Sequence, residues 1–453
     1  MNFDPALIKS FSFLDCSFEP QSGSVNLHYA LEPGYLFCEQ YRFPGAPFAL
    51  SPERKTALQA ALKLLHLAAG VSYYKAAVPN QIVIQHPINQ GDAAFFEHLY
   101  FYGLGEFAYK NKLDIKERIK FPYADLPPNE PSSFALGRES AVLLGGGKDS
   151  IVTVQALSFA QEPMRLLSLG GNQIISDVAA VSSYRYINII RRLDPALITL
   201  NHSGAYNGHV PISAIIAAAA AVAAILYDFD AIVVSNERSA NQGNLCYLGE
   251  EINHQFSKSY EFERLFNSLL QRRVHAGLRY FSFLRPLSEL GIAKAFSKSS
   301  AYDLAFTSCN SAFKLHSNSK QQRWCRRCPK CHFVYLMLAP FMNPSRMIRI
   351  FGEELLDRED LAENFDALCG FGTHKPFECV GEPEEAQAAF ILLGRKKEWQ
   401  ERALVKRFKA EYQDCIAEPD KLLSNVLKLS EEHALDLDYM RALDSYLALL
   451  NSR

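Results

Sequence analysis

Ala141-Val-Leu-Leu-Gly-Gly-Gly-Lys-Asp-Ser150 decides how this chain is read. A short apolar run meets three glycines, then Lys148, Asp149 and Ser150, then a stretch with helical spacing. The order is strand, tight turn, helix start. Glycine lets backbone approach a ligand closely, and the first helical turn presents N–H groups with no partner inside the helix, so the segment reads as a phosphate cradle. It is not a Walker A loop, because Val142 stands where that pattern has its first glycine and Asp149 follows the lysine. Nor is it the dinucleotide fingerprint G-x-G-x-x-G, since Ser150 occupies the last glycine position.

Working outward, strand and helix patterns alternate from about residue 138. Strands are expected at Ala141–Leu144, Arg165–Leu169, Leu197–Leu200 and Ala231–Ser235, with helices at Ser150–Ala160, Asp177–Leu193 and Ile212–Tyr227. Such alternation predicts an α/β fold: a parallel sheet with helices on both faces, binding ligands beyond the C-terminal strand ends. The glycine loop, Gly170-Gly171-Asn172, Asn201-His202-Ser203-Gly204 and Asn236-Glu237-Arg238 each follow an expected strand, so four loops should converge on one edge. Residues 1–130 are expected to form an N-terminal α+β domain, with strands at Ser24–Leu31 and Gln81–Gln85 and a helix at Ser51–Ala69. Four prolines between Phe121 and Pro131 suggest a linker. Residues 131–345 form the expected nucleotide-binding domain, and 346–453 a mainly helical C-terminal region. One irregular island interrupts that region, Cys369-Gly-Phe-Gly-Thr-His-Lys-Pro-Phe-Glu-Cys-Val-Gly381, whose glycines, histidine and cysteines suit a functional loop.

The 453 residues allow two or three domains. A net charge of −2 gives no basic field to attract nucleic acid. The longest apolar run, Val210–Tyr227, is alanine-rich, contains Pro211 and Ser213 and stops at Asp228, so it reads as a buried helix rather than a membrane span. The N-terminus lacks the charged head and apolar core of a secretory signal, and a cytoplasmic location is expected.

Cys325-Arg-Arg-Cys-Pro-Lys-Cys331 holds three cysteines at x2 spacing, and Cys309 lies sixteen positions earlier. Tetrahedral zinc takes four soft ligands, often from x2 knuckles, so these four cysteines are candidate zinc ligands. Two alternatives stand beside this. Arg326, Arg327 and Lys330 could lower a thiol pKa for sulfur transfer, or the thiols could be reduced and metal-free. The same cations could instead hold pyrophosphate.

Gly146, Gly147, Asp149 and Ser150 resemble the PP-loop of ATP pyrophosphatases, S-G-G-x-D-S, with Gly145 in place of the first serine. That resemblance implies cleavage of ATP to AMP and pyrophosphate. Together with the C-x2-C-x2-C cluster it also resembles 7-cyano-7-deazaguanine synthase, which leaves open an ATP-dependent ligase or thiolation enzyme acting on a nucleobase or tRNA. Over nearly its whole length the chain is more similar to the UDP-N-acetylmuramoyl-L-alanyl-L-glutamate epimerases of bacterial cell-wall synthesis. The similarity rests on Gly-Gly-Gly-Lys-Asp-Ser at 145–150, Ser235-Asn-Glu-Arg-Ser-Ala-Asn-Gln-Gly-Asn244, Trp324-Cys-Arg-Arg-Cys-Pro-Lys-Cys-His-Phe-Val-Tyr335 and His374-Lys-Pro-Phe-Glu-Cys-Val-Gly381. It implies an isomerase that adenylates the terminal glutamate of a UDP-sugar dipeptide before inverting its Cα, using ATP and Mg²⁺. Gly145–Ser150, including Lys148, would then cradle phosphate, with Asp149 near magnesium and Gly170 and Asn236 lining the nucleotide. Glu237 and Arg238 would face nucleotide or substrate. Proton transfer would fall to His374 and Cys379, with Glu378, His209 and Glu237 as further candidates.

Overall fold

The structure, a computed structural model, describes residues 3–126, 131–313, 323–372, 378 and 380–452. Its strands are β1 (Ser10–Glu19), β2 (Ser24–Glu32), β3 (Tyr35–Arg42), β4 (Gln81–Ile84), β5 (Ser140–Leu143), β6 (Met164–Leu169), β7 (Tyr186–Arg192), β8 (Ala231–Val234), β9 (Leu245–Tyr247), β10 (Glu250–Ile252) and β11 (Arg279–Ser282). Nine of them form one sheet in the order β11-β8-β5-β6-β7-β3-β2-β1-β4, and β9 with β10 makes a separate hairpin. Strands β11 to β7 are mutually parallel. Strand β3 then pairs antiparallel with β7, so strands from the first 130 residues extend the same sheet.

Within the parallel unit the first strand in the chain, β5, is central. The path runs out through β6 and β7 on one side, returns, and continues through β8 and β11 on the other. The winding therefore reverses between β5 and β8. Adjacent crossovers leave that point in opposite directions, and folds of this kind bind ligands there, beyond the strand ends.

Alternation along each strand assigns the two faces. Ala141, Leu167, Ile232 and Val234 pack into one core with the helices Pro52–Ala69 and Ile212–Tyr227 and the aromatic N-terminal strands. Val142, Leu166, Ala231 and Val233 pack into a second core with the C-terminal helices. The Ile212–Tyr227 helix is buried nearly all round, which accounts for its apolar composition. Among the described residues, no helix is long and apolar enough to cross a membrane. The last helix, Leu437–Ser452, leans on the helix Lys148–Phe159, with Tyr439 Oη 2.6 Å from Ser140 Oγ and Tyr446 Oη 3.3 Å from Gln155 Oε1.

Two sequence expectations are corrected. Leu197–Leu200 is helical, part of Pro195–Asn201. Asp194 caps it through Ala196 N at 2.8 Å and Pro195 fits the first turn, signals that outweigh the β-branched Ile198 and Thr199. The long helix expected over Asp177–Leu193 is instead a helix, Gln173–Ser182, followed by β7. Ser183 adopts a left-handed φ of 62° that ends the helix, and the aromatic and β-branched run Tyr186-Ile-Asn-Ile-Ile favours a strand. Consequently Asn201–Gly204 follows a helix and bonds the N-terminus, where Phe3 N donates to Ser203 O at 2.8 Å. Three of the four anticipated loops follow parallel strands.

Candidate active site

The site is built at the strand ends on either side of the winding reversal. After β5, Gly145–Gly147 turns the chain into the helix Lys148–Phe159. Gly146 has φ +80°, a conformation that glycine alone adopts easily. A Cβ on Gly147 would come within 2.8 Å of Ser308 Oγ, whereas among the described residues one on Gly145, Gly170 or Gly171 would meet no heavy atom within 4 Å. The loop is thus packed underneath and open on the side a ligand would approach. Gly147 at the N-cap has no side chain to cap the helix, which suits a first turn whose amides meet an anion. Ser150 Oγ closes the turn from within, donating to Gly147 O at 3.2 Å and accepting from Gly145 N at 3.4 Å.

Thr307 fastens this turn to the next feature. Its N–H donates to Gly146 O at 3.0 Å, while its hydroxyl donates to Arg323 O at 2.6 Å and accepts from Cys309 N at 3.1 Å. Cys309, Cys325, Cys328 and Cys331 form one cluster, with sulfur atoms all within 4.8 Å of one another. Cys331 Sγ lies 3.5 Å from Cys328 Sγ and 3.7 Å from Cys325 Sγ. Thiolates ~2.3 Å from a tetrahedral zinc stand roughly 3.8 Å apart, so the spacing suits such an ion. Backbone N–H groups of Cys325 and Cys328 donate to the sulfurs of Cys309 and Cys325, each at 3.4 Å, as knuckle turns do. The cluster could hold a metal ion such as zinc.

Between glycine loop and cysteines lies a group of buried charges. Lys148 does not reach outward along the loop. Its ammonium is fully buried between Asp149 and Glu289. Lys330 bonds the other oxygen of Glu289 at 3.3 Å. Glu385 accepts from the backbone N–H groups of Glu289 at 2.7 Å and Glu382 at 2.8 Å. Glu237, the second residue after Ser235 at the end of β8, is also buried. Burial, followed by the charges of Glu289 and Asp149, pushes its carboxyl up to about 7, against a weaker pull from Lys258 and Lys330. Burial and the neighbouring Glu289 and Glu382 push Glu385 up to about 8. Burial opposes ionisation of Glu289 too, but the two ammoniums override it and hold this carboxyl low.

Asn236 donates to Ser282 Oγ at 3.1 Å, tying the loop after β8 to β11. Arg285 lies beneath that loop, fully buried. It bonds Glu237 O and Lys258 O, each at 2.6 Å, and pairs with Glu263 at 2.9 Å. Arg238 points toward the C-terminal helices. Its guanidinium bonds the carbonyls of Asn425, Val426 and Lys428 at the end of the helix Pro419–Leu427.

This geometry has two matched parts, an N-terminal portion carrying the glycine loop and a C-terminal portion carrying the cysteine helix. Two family models correspond to them: the MurL N-terminal domain matches residues 2–283, and the MurL C-terminal domain matches residues 305–422. The chain belongs to the MurL family. A UDP-N-acetyl-alpha-D-muramoyl-L-alanyl-L-glutamate epimerase from Xanthomonas oryzae pv. oryzae is 44% identical over 434 residues, 96% of each chain. Relatives with the same name from Salinispora tropica and a Micromonospora species are 41% and 42% identical. They cover 87% and 88% of this chain and 87% and 89% of their own lengths.

Of the residues expected at a MurL site, Gly145–Ser150, Gly170, Asn236 and Glu237 follow neighbouring parallel strands β5, β6 and β8. His374 and Cys379 lie outside the described residues. Glu378 accepts from Lys330 N at 3.1 Å, at the edge of the buried charges. His209 is elsewhere, beside Glu106 and His254. Glu289, Lys330, Glu385 and Arg285 were not expected as a set.

Proposed function

We propose that this protein inverts the α-carbon of the terminal L-glutamate in UDP-N-acetylmuramoyl-L-alanyl-L-glutamate, after ATP has adenylated that residue's α-carboxylate, in the cytoplasmic assembly of peptidoglycan precursors. Membership of the MurL family supports the epimerisation and its substrate. The observation that carries the ATP-dependent step is the winding reversal between β5 and β8, with an open glycine loop after one strand and Glu237 after the other. On this reading the parallel unit is a PP-loop domain of the adenine nucleotide alpha hydrolase type.

The chemistry explains why ATP is needed. A Cα proton beside a carboxylate is hardly acidic, because its removal places two negative charges on adjacent atoms. Attack of the carboxylate oxygen on the α-phosphorus expels pyrophosphate and leaves a neutral acyl group. The enolate formed from it carries a single charge that hydrogen-bond donors can stabilise. Proton return on the opposite face, then hydrolysis, gives D-glutamate and AMP.

The amides around Gly145–Ser150 bind phosphate. Asp149 would hold magnesium, which neutralises phosphate charge when bound. Gly170 and Asn236 line the nucleotide, and Lys148 with Lys330 fixes Glu289 beneath it. Glu237 moves a proton, since a carboxyl titrating near 7 can both take and return one at neutral pH. His374 or Cys379 serves the opposite face. Arg238 is a positioning residue that anchors the Glu237 loop to the C-terminal helices.

The test is an incubation with ATP, Mg²⁺ and the UDP-sugar dipeptide in deuterated water. The expected products are AMP, pyrophosphate and D-glutamate carrying deuterium. Glu237→Gln should still form AMP while deuterium entry slows by about 10²-fold or more. Wild-type exchange in that variant sinks the role of Glu237. AMP without D-glutamate would redirect the reading to a ligase or thiolation reaction on another acceptor.

A further inference from the structure

The proposed reaction leaves a second cluster of ligating side chains unused. Glu106 opens the helix Gly105–Asn111, His209 precedes the helix Ile212–Tyr227, and His254 follows the β9–β10 hairpin. One ligand atom from each lies within 4.8 Å of the other two. His254 Nδ1 bonds Glu106 Oε2. His209 Nδ1 faces the same oxygen but stops at 3.6 Å, beyond hydrogen-bond reach. The two imidazole rings stand 4.4 Å apart between centroids. Lys110 takes the other carboxylate oxygen, Oε1, and so turns Oε2 toward both rings.

We propose that Glu106, His209 and His254 form a second metal site, for a divalent transition-metal cation of the zinc class, separate from the four cysteines. Two imidazoles and one carboxylate converging on a point are a donor set for zinc or iron(II) that leaves positions open, whereas magnesium prefers oxygen donors alone. The surrounding backbone is shaped to bring these three side chains together. A Cβ on Gly103 would lie 2.7 Å from Pro211, two residues from His209, and one on Gly105 would lie 2.9 Å from Ile252, two residues from His254. Glycine at both positions lets the Glu106 segment touch the two segments that carry the histidines. The site also adjoins the loop after β8, since His254 N donates to Asn244 Oδ1 and Asn253 Nδ2 donates to Ala240 O, each at 2.9 Å. A cation there would brace the stretch running from Asn236 to Asn244.

The test is metal stoichiometry of the whole protein, saturated with Zn²⁺ or Co²⁺, freed of loose ions and measured by elemental analysis and native mass spectrometry. Two equivalents are expected. An organomercurial thiol reagent should release one and leave one. With Co²⁺, the retained ion should show visible bands without the near-ultraviolet thiolate charge transfer. His209→Ala combined with His254→Ala should keep only the mercurial-sensitive equivalent and weaken binding at the other site at least 100-fold. One equivalent in wild type that the mercurial releases completely, or two tightly bound equivalents in the double variant, would overturn the proposal. A single equivalent that the mercurial does not release would instead count against the cysteine site. The mercurial arm uses wild-type protein and does not depend on the variant folding.

Discussion

Beneath the antiparallel strands, buried Glu39 meets Arg191 at 2.6 Å, with the Tyr41 hydroxyl donating to the same oxygen at 2.5 Å. Beyond the ends of the parallel strands, Asp149, Glu237, Glu289 and Glu385 gather around Lys148 and Lys330. Both groups are removed from water, but the first balances one charge against one. In the second, only Asp149 and Glu289 touch the two ammoniums, and burial together with the neighbouring carboxylates pushes Glu237 and Glu385 up to about 7 and 8. A buried pair that closes on itself contributes mainly to the shape of the core. A buried group with surplus carboxyls either stores a proton or awaits a cation, and both suit the proton transfer and nucleotide chemistry proposed for it.

The strongest way to break this contrast is Asp149→Asn. It removes the carboxylate proposed to hold magnesium and should slow ATP cleavage by about 10³-fold, roughly 4 kcal/mol of barrier, in an assay of AMP and pyrophosphate release. A loss below tenfold would make the surplus charge structural. Arg191→Met tests the other region. Leaving Glu39 buried without its partner should cost about 3 kcal/mol or more in urea unfolding, while kcat of the folded fraction stays at the wild-type value. A drop in kcat would mean the two regions are not separate in function. The smallest effect is the pH dependence of stability without nucleotide or magnesium. Glu237 ionises less readily in the folded chain than in the unfolded one, so its contribution is complete below pH 4.5 and is lost as pH rises through 7. Glu385, pushed up to about 8, adds a similar loss to both proteins, so between pH 5 and 8 wild type should lose on the order of 3 kcal/mol more than Glu237→Gln does. Parallel profiles for the two proteins would place the proton elsewhere.

What could be read from sequence was what lies close together in it. The glycines at 145–147 directly follow an apolar run, and Cys325, Cys328 and Cys331 share one turn and a helix start, so local spacing reveals both. Cys309 was found because cysteine is rare enough to stand out. Glu289 offers no such signal. Its partners Lys330 and Glu385 are 41 and 96 positions away, and a lone glutamate at a helix start reads as an ordinary first-turn residue. The same distance hides Glu106, His209 and His254 from one another. For Leu197–Leu200 and β7 the difficulty was local competition, in which capping by Asp194 and termination at Ser183 overrode a simple count of apolar residues. Arg238 shows a further limit, since its position after β8 is legible but the direction of its side chain depends on a helix nearly 190 positions later.

Thr307 makes the glycine turn and the first cysteine mechanically one piece, with its amide on Gly146 and its hydroxyl on Arg323 and Cys309. Slack introduced at the thiols has a single-residue route to the glycines. If the glycine turn binds nucleotide as proposed, oxidation or stripping of the cysteine knot should register first as weakened nucleotide affinity, well before the fold melts, and that affinity becomes a gauge of the thiol chemistry around the protein.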